Sequence, residues 1–404
     1  MTETSQPPSE PAGVVGDRAP IWPQGQRPSG LNRVAASVGI VAGVVFVVAV
    51  IFFSGFTLGI LSGGYNRAGP AMMGPGGMMG PGAMMGPGQA PPSAFVAVSV
   101  ATVWTTPQSP RPVDHRALTN PVDIRGWLSD MTPAQQEALT SDNLNHTQAL
   151  FGDRVFVVGE QGDWDEVLVP GQPTPKDSVG YPGWIPKAQL TTDPGYGALM
   201  EHASFALADR GITTWLYRES GLSDQDLEIS TNTRLPVLIR TDKAVLVATP
   251  DRGPKWLDAR TVAVYEKPTD IPHPTGADLV RYAAVFVNVP YLWGGRAGFG
   301  FDCSGFTSTI YQVYGITLPR DAGPQAADSR GRPVDKSALQ PGDLLFYSHG
   351  SRDPDNPDAI YHVAMYSGNG DMIEAFDKTA PVRITPVRLD ADYWGARRYL
   401  DQPR

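Results

Sequence analysis

One cysteine in the last third of the chain could supply a nucleophilic thiol. Cys303 is the single cysteine among 404 residues. It follows a glycine-rich loop, 294–300, and precedes Phe306, Ile310 and Val313 at helical spacing. We therefore predict that Cys303 begins a helix, where backbone N–H groups and the helix dipole would lower the thiol pKa below its free value of about 8.5. A lone cysteine is also typical of a buried structural position, so this residue alone leaves both alternatives open.

His362 and Glu374 are candidates for a base and for the group that orients it. Residues 360–367 have the pattern of a strand, and 367–370 that of a turn into the next strand, which carries Glu374. Because His362 and Glu374 have the same parity, we expect them on one face of the hairpin, directly across from each other. An imidazole held in one tautomer by a carboxylate can take the proton of a thiol. Of the other histidines, His349 alone lies nearby, in a polar loop without a matching carboxylate.

The elements that must position these side chains are predicted within residues 269–404. Thr275 and Asp278 have the spacing of a helix-capping pair, and the helix that they begin should lead towards Pro290. Residues 342–348 have the pattern of a further strand. We therefore expect a mixed α+β domain in this part of the chain.

Two modules of short strands are predicted before this domain, over residues 94–195 and 196–268. In the first, apolar residues alternate near Phe95 and again in 154–160 and 164–170, and residues 131–139 are typical of a helix with proline at its first turn. In the second, similar runs occupy 213–218, 235–240, 244–249 and 261–267. Both patterns favour small SH3-like β-barrels, the first with an inserted helix.

An apolar stretch near the N-terminus predicts a membrane span. Residues 34–62 contain no charged side chain and exceed the roughly 20 apolar residues that cross a bilayer. A secretory signal peptide is the alternative, but its apolar core would be shorter, about 7–15 residues. Arg18, Arg27 and Arg33 precede the stretch and only Arg67 follows closely, which predicts a cytoplasmic N-terminus and an extracytoplasmic remainder. Residues 1–33, rich in Pro, Gly and Ser, are expected to be a disordered cytoplasmic tail.

Residues 63–93 contain three Met-Met pairs in a Gly/Pro-rich repeat. Paired thioethers could hold a soft metal such as Cu(I). A flexible tether is favoured instead, because no His or Cys lies nearby.

Composition excludes several classes of function. The formal net charge is −9 and no long basic stripe is present, which argues against binding to nucleic acid. One cysteine allows neither an intramolecular disulfide nor a cysteine-cluster metal site. We expect no metal and no cofactor.

The motifs of the last domain resemble those of the NlpC family of cell-wall cysteine peptidases. They are Tyr-x-Trp-Gly-Gly, Phe-Asp-Cys-Ser-Gly, Leu-Pro-Arg, Pro-Gly-Asp-Leu-x-Phe and His-Val-x-x-Tyr-x-Gly-Asn-Gly, in the family order. The resemblance implies a papain-like domain in which Cys303 is the nucleophile, His362 the base and Glu374 the third polar residue. It also implies that the hydroxyl of Tyr291 lies near the oxyanion.

The Tyr-Pro-Gly-Trp stretch resembles the first bacterial SH3 domain of the γ-D-glutamyl-L-diamino-acid endopeptidases. That resemblance implies that Tyr181 walls the substrate site, together with an acidic residue of the same barrel for which Glu160 is a candidate. It also implies that Asp302 and Ser304 help to hold the free amine of a terminal L-alanine. A helix-capping carboxylate is the equally weighted alternative for Asp302.

Together these features predict a fold class and a function. The fold class is α+β: a papain-like NlpC-type domain preceded by two SH3-like barrels and one N-terminal transmembrane helix. The expected function is hydrolysis of the γ-D-glutamyl-diaminopimelate bond of peptidoglycan stem peptides or muropeptides by a membrane-anchored, extracytoplasmic thiol peptidase that requires a free N-terminal L-Ala. Two alternatives remain open: an inactive peptidoglycan-binding module, and a thiol acyltransferase or amidase on the same fold.

Overall fold

The computed structural model describes residues 91–349, 359–378, 380–390 and 392–400. These residues belong to one compact unit, Met85–Arg404. The predicted tail, the predicted span and almost all of the predicted tether lie outside the described residues. Within the described ranges, no helix is both long and apolar enough to cross a membrane.

The first module is an antiparallel sheet of seven strands in the order β3-β2-β6-β5-β4-β1-β7. Its strands are β1 Ser93–Val96, β2 Val100–Trp104, β3 Asn145–Leu150, β4 Arg154–Gln161, β5 Trp164–Val169, β6 Tyr181–Pro186 and β7 Leu190–Thr191. Alternating apolar residues such as Val96, Val155 and Val167 are buried in its centre. The sheet forms the expected SH3-like module, although β3, β6 and β7 were not predicted from the sequence.

An insertion of short helices separates β2 from β3. It contains a 3-10 helix, Pro112–Ala117, and two α-helices, α1 Ile124–Asp130 and α2 Pro133–Ser141. Helix α2 begins two residues later than predicted because Thr132 caps it: the Thr132 hydroxyl accepts a bond from the Gln135 backbone, and the Gln135 side chain reaches back. Helix α1 was missed, since Asp123 provides its cap without a long apolar period.

The second module follows helix α3, Pro194–His202, and is again an antiparallel sheet of seven strands. Its strands are β8 Phe205–Ala208, β9 Thr213–Tyr217, β10 Gln225–Ser230, β11 Arg234–Arg240, β12 Ala244–Val247, β13 Lys255–Asp258 and β14 Val262–Tyr265. Their order is β10-β9-β13-β12-β11-β8-β14. The four strands predicted here are present, and β8, β10 and β13 are additional. A 3-10 helix, Pro268–Asp270, leads out of the module.

The last domain places a helix against an antiparallel sheet. Its helices are α4 Gly276–Ala284, α5 Cys303–Val313 and α6 Ala322–Ala327. A small ribbon is formed by β15 Arg296–Ala297 and β16 Gly300–Phe301, and a six-stranded sheet by β17 Arg332–Val334, β18 Leu344–Ser348, β19 Ile360–Gly368, β20 Asp371–Glu374, β21 Arg383–Pro386 and β22 Tyr393–Arg398, in the order β17-β22-β18-β19-β20-β21. Phe306 and Ile310 of α5 pack with Val363 and Met365 of β19 in one buried core. This is the papain-like layout that the motifs implied.

The first module is joined to the last domain by polar contacts that are buried or partly buried. The Asn145 side chain donates to the Trp293 carbonyl at 2.8 Å, and the Trp293 indole donates to the Asn145 carbonyl at 3.1 Å. The Arg320 guanidinium donates to the Thr147 hydroxyl at 2.7 Å. These bonds fix the barrel wall against the loop that precedes Cys303.

Candidate active site

Cys303 is the first residue of α5, as predicted. Asp302 caps the helix: its side chain accepts a bond from the Gly305 backbone at 2.7 Å. The loop before it needs glycine at Gly294, where φ is +75° and a Cβ would lie 2.4 Å from the Asn145 side chain. The glycine-rich loop therefore lets the barrel approach the backbone next to the cysteine.

His362 and Glu374 form a buried hydrogen-bonded pair. The His362 Nε2 atom lies 2.9 Å from a Glu374 carboxylate oxygen, and neither side chain is more than 1% exposed. They share a face of the sheet as predicted, but they do not lie directly across from each other. Met365 pairs with Ile373, so Glu374 comes opposite Ala364, and His362 itself pairs with Tyr347 of β18. The predicted register was wrong by two residues, because the strand pairing shifts between Tyr366 and Gly368, next to the turn. The two side chains are therefore diagonal neighbours on the sheet.

Cationic and hydroxyl groups hold Glu374 ionised. The guanidinium groups of Arg383 and Arg388 lie 3.2 and 3.3 Å from its carboxylate oxygens, and the Thr385 hydroxyl donates at 3.1 Å. Burial alone would raise the pKa of Glu374, but the bond to His362, the charge of Arg388 and the bond from Thr385 lower it to about 2. The carboxylate can therefore accept a hydrogen bond from a protonated Nε2 at any physiological pH.

The other ring nitrogen of His362 is available to a reacting group. Nδ1 is buried and has no hydrogen-bond partner among the described residues. Burial also lowers the pKa of His362, against the raising effect of Glu374, and so favours the neutral ring. A neutral ring that donates from Nε2 to Glu374 must carry its lone pair on Nδ1, the form that a general base requires.

The sulfur of Cys303 lies beside the strand that carries His362. The backbone N–H groups of Val363 and Ser304 donate to the sulfur and favour its thiolate. Burial outweighs them, and together with the nearby charge of Asp302 it raises the pKa of Cys303 to about 12. The expectation of a lowered thiol pKa was wrong in this structure, because a helix terminus cannot offset the loss of water around a side chain that is 7% exposed.

A cavity of about 570 Å³ opens above the cysteine. Its lining includes five of the seven predicted site residues: Tyr181, Tyr291, Asp302, Cys303 and Ser304. The other two form the buried His362–Glu374 pair. The pKa of Tyr291 is raised well above its ordinary value by burial, and further by the charge that Cys303 would carry. The cavity therefore unites a barrel residue with the cysteine and its neighbours.

Asp302 is already fully engaged. One carboxylate oxygen accepts from the Gly305 backbone and from Arg320 at 3.1 Å, and the other accepts from the Gly294 backbone at 2.9 Å and from Arg320 at 2.8 Å. Arg320 also donates to the Ser304 hydroxyl at 2.9 Å. The structure thus places Asp302 as a helix cap and ion-pair partner, in line with the capping alternative, and its two oxygens have no acceptor position left for a ligand amine.

Asp321 is a cavity residue that sequence analysis missed. Its carboxylate accepts the Tyr181 hydroxyl at 3.0 Å and its side chain is 34% exposed. It follows directly after the Leu-Pro-Arg motif, and this adjacency to Arg320 is the one signal in the sequence that could have identified it. Lys176, also unpredicted, lines the cavity beside it.

Glu160 does not reach the cavity. It is exposed and pairs with Lys187 at 2.6 Å on the outside of the first module. The acidic side chain that the first module contributes to the lining is Glu137, on helix α2, which contacts Lys378. The candidate Glu160 was wrong because its side chain on strand β4 pairs with Lys187 outside the cavity, whereas Glu137 of the inserted helix lines it.

A metal site is not evident in the part of the chain that the structure describes. No cluster of three or more His, Cys, Asp or Glu side chains is placed to hold an ion there. The Met-Met pairs lie outside the described residues.

Comparisons with known proteins match both kinds of module. Residues 288–401 match the model of the NlpC/P60 family, and residues 212–265 match that of the YKFC SH3b2 domain. The chain is 44% identical over 310 residues to the gamma-D-glutamyl-L-lysine dipeptidyl-peptidase of Bacillus cereus, covering 76% of this chain and 91% of the relative. It is 39% identical over 283 residues to the protein of the same name from Bacillus subtilis, covering 69% and 88%.

A solved structure agrees with these matches. The crystal structure of an NlpC/P60 family protein from Bacillus cereus has 43% sequence identity and a TM-score of 0.71, and the match covers 76% of this chain and 99% of that one. The similarity therefore extends beyond residues 288–401 to the barrels that precede them.

Proposed function

The chain belongs to the NlpC/P60 family of peptidases, and we propose that it uses Cys303 to hydrolyse the bond between γ-D-glutamate and the diamino acid of peptidoglycan stem peptides. The observation that carries the proposal is the buried His362–Glu374 pair, which leaves Nδ1 without a hydrogen-bond partner among the described residues, on the strand whose next residue, Val363, donates to the Cys303 sulfur. The names of the two Bacillus relatives support the choice of bond. Diaminopimelate is the diamino acid that we expect, with lysine as the variant to be compared.

The chemistry begins from a neutral pair. His362 takes the thiol proton through Nδ1 while the Cys303 sulfur attacks the scissile carbonyl, so the thiolate forms only as the attack proceeds. This order follows from the raised pKa of Cys303 and the lowered pKa of His362. The imidazolium then gives its proton to the leaving amine, and water activated by the same nitrogen releases the acyl group from sulfur.

Tyr291 and the start of α5 are suited to stabilise the oxyanion. Charge that develops on the carbonyl oxygen requires donors that are already in place. The Tyr291 phenol lies in the cavity near the sulfur and keeps its proton, because burial raises its pKa. Backbone N–H groups at the N-terminus of α5 supply the complementary dipole.

Recognition of a free N-terminal amine is assigned to Asp321 with Tyr181. Asp321 is partly exposed in the cavity, whereas the oxygens of Asp302 are occupied by Arg320 and two backbone groups. A carboxylate that is open to the cavity can pair with the ammonium group of L-Ala, and Tyr181 of the first module lines the cavity beside it. In this proposal Asp302 and Ser304 act indirectly, by holding Arg320, the residue that precedes Asp321.

The experiment compares free and blocked substrates. The purified full chain is incubated with L-Ala-γ-D-Glu-diaminopimelate, with the lysine analogue and with the N-acetylated form of each, and products are identified by mass spectrometry. We expect L-Ala-D-Glu from the free peptides and at least a hundredfold slower release from the acetylated ones. Absence of dipeptide from every peptide would contradict hydrolysis, product only with an added acyl acceptor would indicate transfer, and equal rates on blocked and free peptides would contradict the amine requirement.

We further propose that residues 34–62 anchor the protein in the cell membrane with the peptidase outside. The support is the uncharged apolar run and the three arginines that precede it. Alkaline extraction of membranes and protease treatment of intact cells test it. Release of the full chain at high pH, or protection of the peptidase from external protease, would contradict it.

A further inference from the structure

Lys176 lies at the end of the cavity where the substrate amine is expected. Its ammonium donates to the Tyr181 hydroxyl at 2.5 Å, lies 4.4 Å from the centre of the Tyr181 ring, and is 3.9 Å from a carboxylate oxygen of Asp321. The Lys176 side chain is 42% exposed and that of Asp321 is 34% exposed. Both charged groups therefore face the cavity while they pair with each other.

The other charges that line the cavity already have close partners. Lys378 contacts Glu137, and Asp302 holds Arg320 through two short bonds. Burial and the charges of Lys176 and Arg320 lower the pKa of His146, next to Tyr181, to about 4, so this ring is neutral near pH 7. Lys176 is thus the cation that can respond to a ligand at this end of the cavity.

The N-terminal end of the proposed substrate carries two opposite charges. Because the chain continues through the γ-carboxyl of D-glutamate, its α-carboxylate remains free, and the L-Ala amine is free on the preceding residue. Consecutive Cα atoms are about 3.8 Å apart across a trans peptide, so these two charges are close neighbours. An ammonium that binds Asp321 would lie beside a second ammonium, that of Lys176, unless the ligand also brings an anion.

We propose that Lys176 binds the α-carboxylate of the D-glutamyl residue and makes the enzyme select D-glutamate over its α-amide, D-isoglutamine. This inference rests on the proposed function. When the ligand binds, the Lys176–Asp321 contact is replaced by two ion pairs, Asp321 with the amine and Lys176 with the α-carboxylate. The long side chain of Lys176 can make this change without movement of the barrel backbone.

The first test compares two substrates that differ in that one group. Rates are measured on L-Ala-γ-D-Glu-diaminopimelate and on the same peptide with the α-carboxamide, for the native chain, Lys176→Met and Lys176→Arg. Lys187→Met is the matched control, since Lys187 lies on the same module outside the cavity and pairs with Glu160. We expect the native chain to prefer the carboxylate about tenfold in kcat/KM, which corresponds to about 1.4 kcal/mol.

The ratio of the two rates is the decisive quantity. Lys176→Met should reduce the preference to about one, Lys176→Arg should retain most of it, and Lys187→Met should leave it unchanged. An unaltered preference in Lys176→Met would overturn the inference. So would an equal gain on both substrates, because it would mean that Lys176 only competes with the amine for Asp321.

A second measurement separates this inference from the proposed reaction. Cys303→Ala, and Cys303→Ala combined with Lys176→Met, are titrated calorimetrically with L-Ala-γ-D-Glu and with L-Ala-γ-D-isoglutamine. Tighter binding of the carboxylate that requires Lys176 supports the inference even if the native chain cleaves no peptide, which would count against the proposed function alone. Turnover by the native chain together with equal binding of both dipeptides would leave the proposed function standing and overturn the role of Lys176.

Discussion

Replacement of Glu374 by glutamine tests the tautomer of His362. In the native site one carboxylate oxygen faces Nε2, the other faces Arg383 and Thr385, and Arg388 donates to both. A glutamine side chain has one acceptor oxygen and one amide nitrogen that donates. The two arginines and the threonine all present donors, so the amide oxygen should turn to them and the amide nitrogen should turn to the imidazole.

That orientation of the amide would change the tautomer of the His362 ring. Nε2 would then have to accept a bond, the proton would move to Nδ1, and Nδ1 could no longer take the proton of Cys303. The corresponding Asp→Asn change in the Ser-His-Asp template lowers kcat about 10⁴-fold while the geometry stays intact. We expect a loss of about the same size for Glu374→Gln.

Two measurements check this reasoning. Single-turnover rates of dipeptide release give the size of the loss, and ¹⁵N chemical shifts of the imidazole report which nitrogen carries the proton. Thr385→Val is the matched control: it removes one donor to the carboxylate without touching Nε2, and a lost hydrogen bond of about 1 kcal/mol predicts a roughly fivefold effect at most. Retention of more than a tenth of the native rate in Glu374→Gln, or a proton still on Nε2, would refute the reasoning.

Three further predictions concern the thiol, a buried ion pair and acid. Cys303→Ala should abolish dipeptide release and leave the thermal unfolding transition unchanged. The rate at which iodoacetamide alkylates the native thiol should rise with pH through 9 without a plateau, because burial raises the pKa of Cys303 to about 12. A plateau in that rate below pH 7 would indicate a preformed thiolate. Arg320→Met should cost about 3–5 kcal/mol in urea unfolding, because it leaves the buried Asp302 carboxylate without its cation, and a loss below about 1 kcal/mol would contradict that role. The pKa of Glu374 falls from 4.5 to about 2 on folding, so its contribution to the free energy of unfolding is complete above pH 4.5 and is lost as the pH falls towards 2. The pKa of His362 is lowered from 6.5 on folding, so its contribution to that free energy is lost as the pH falls below 6.5. The Tm of the native chain should therefore decline between pH 6.5 and 3, and Glu374→Gln should flatten the part of that decline below pH 4.5.

The sequence was most informative where the determinants are local. The cap of α4 at Thr275 and Asp278, the start of α5 at Cys303 and the strand that carries His362 were all predicted, because capping spacing, apolar period and strand alternation depend on neighbouring residues. The strands that were missed, such as β8 and β13, are only four residues long and depend on their partners for burial. The register between His362 and Glu374 was wrong for a related reason, since counting across a turn cannot include the irregular pairing that follows Tyr366.

The candidate reacting groups could therefore be named from the sequence itself: one cysteine, one strand histidine and one carboxylate of matching parity. The tertiary structure decided what surrounds them. Tyr181 and Asp321 are 140 positions apart yet share a hydrogen bond, and Lys176 completes the cluster. The tertiary structure also pairs Asp302 with Arg320 and buries Cys303 away from solvent. Burial and long-range pairing set the charge state of each group, and both arise only when distant segments pack together.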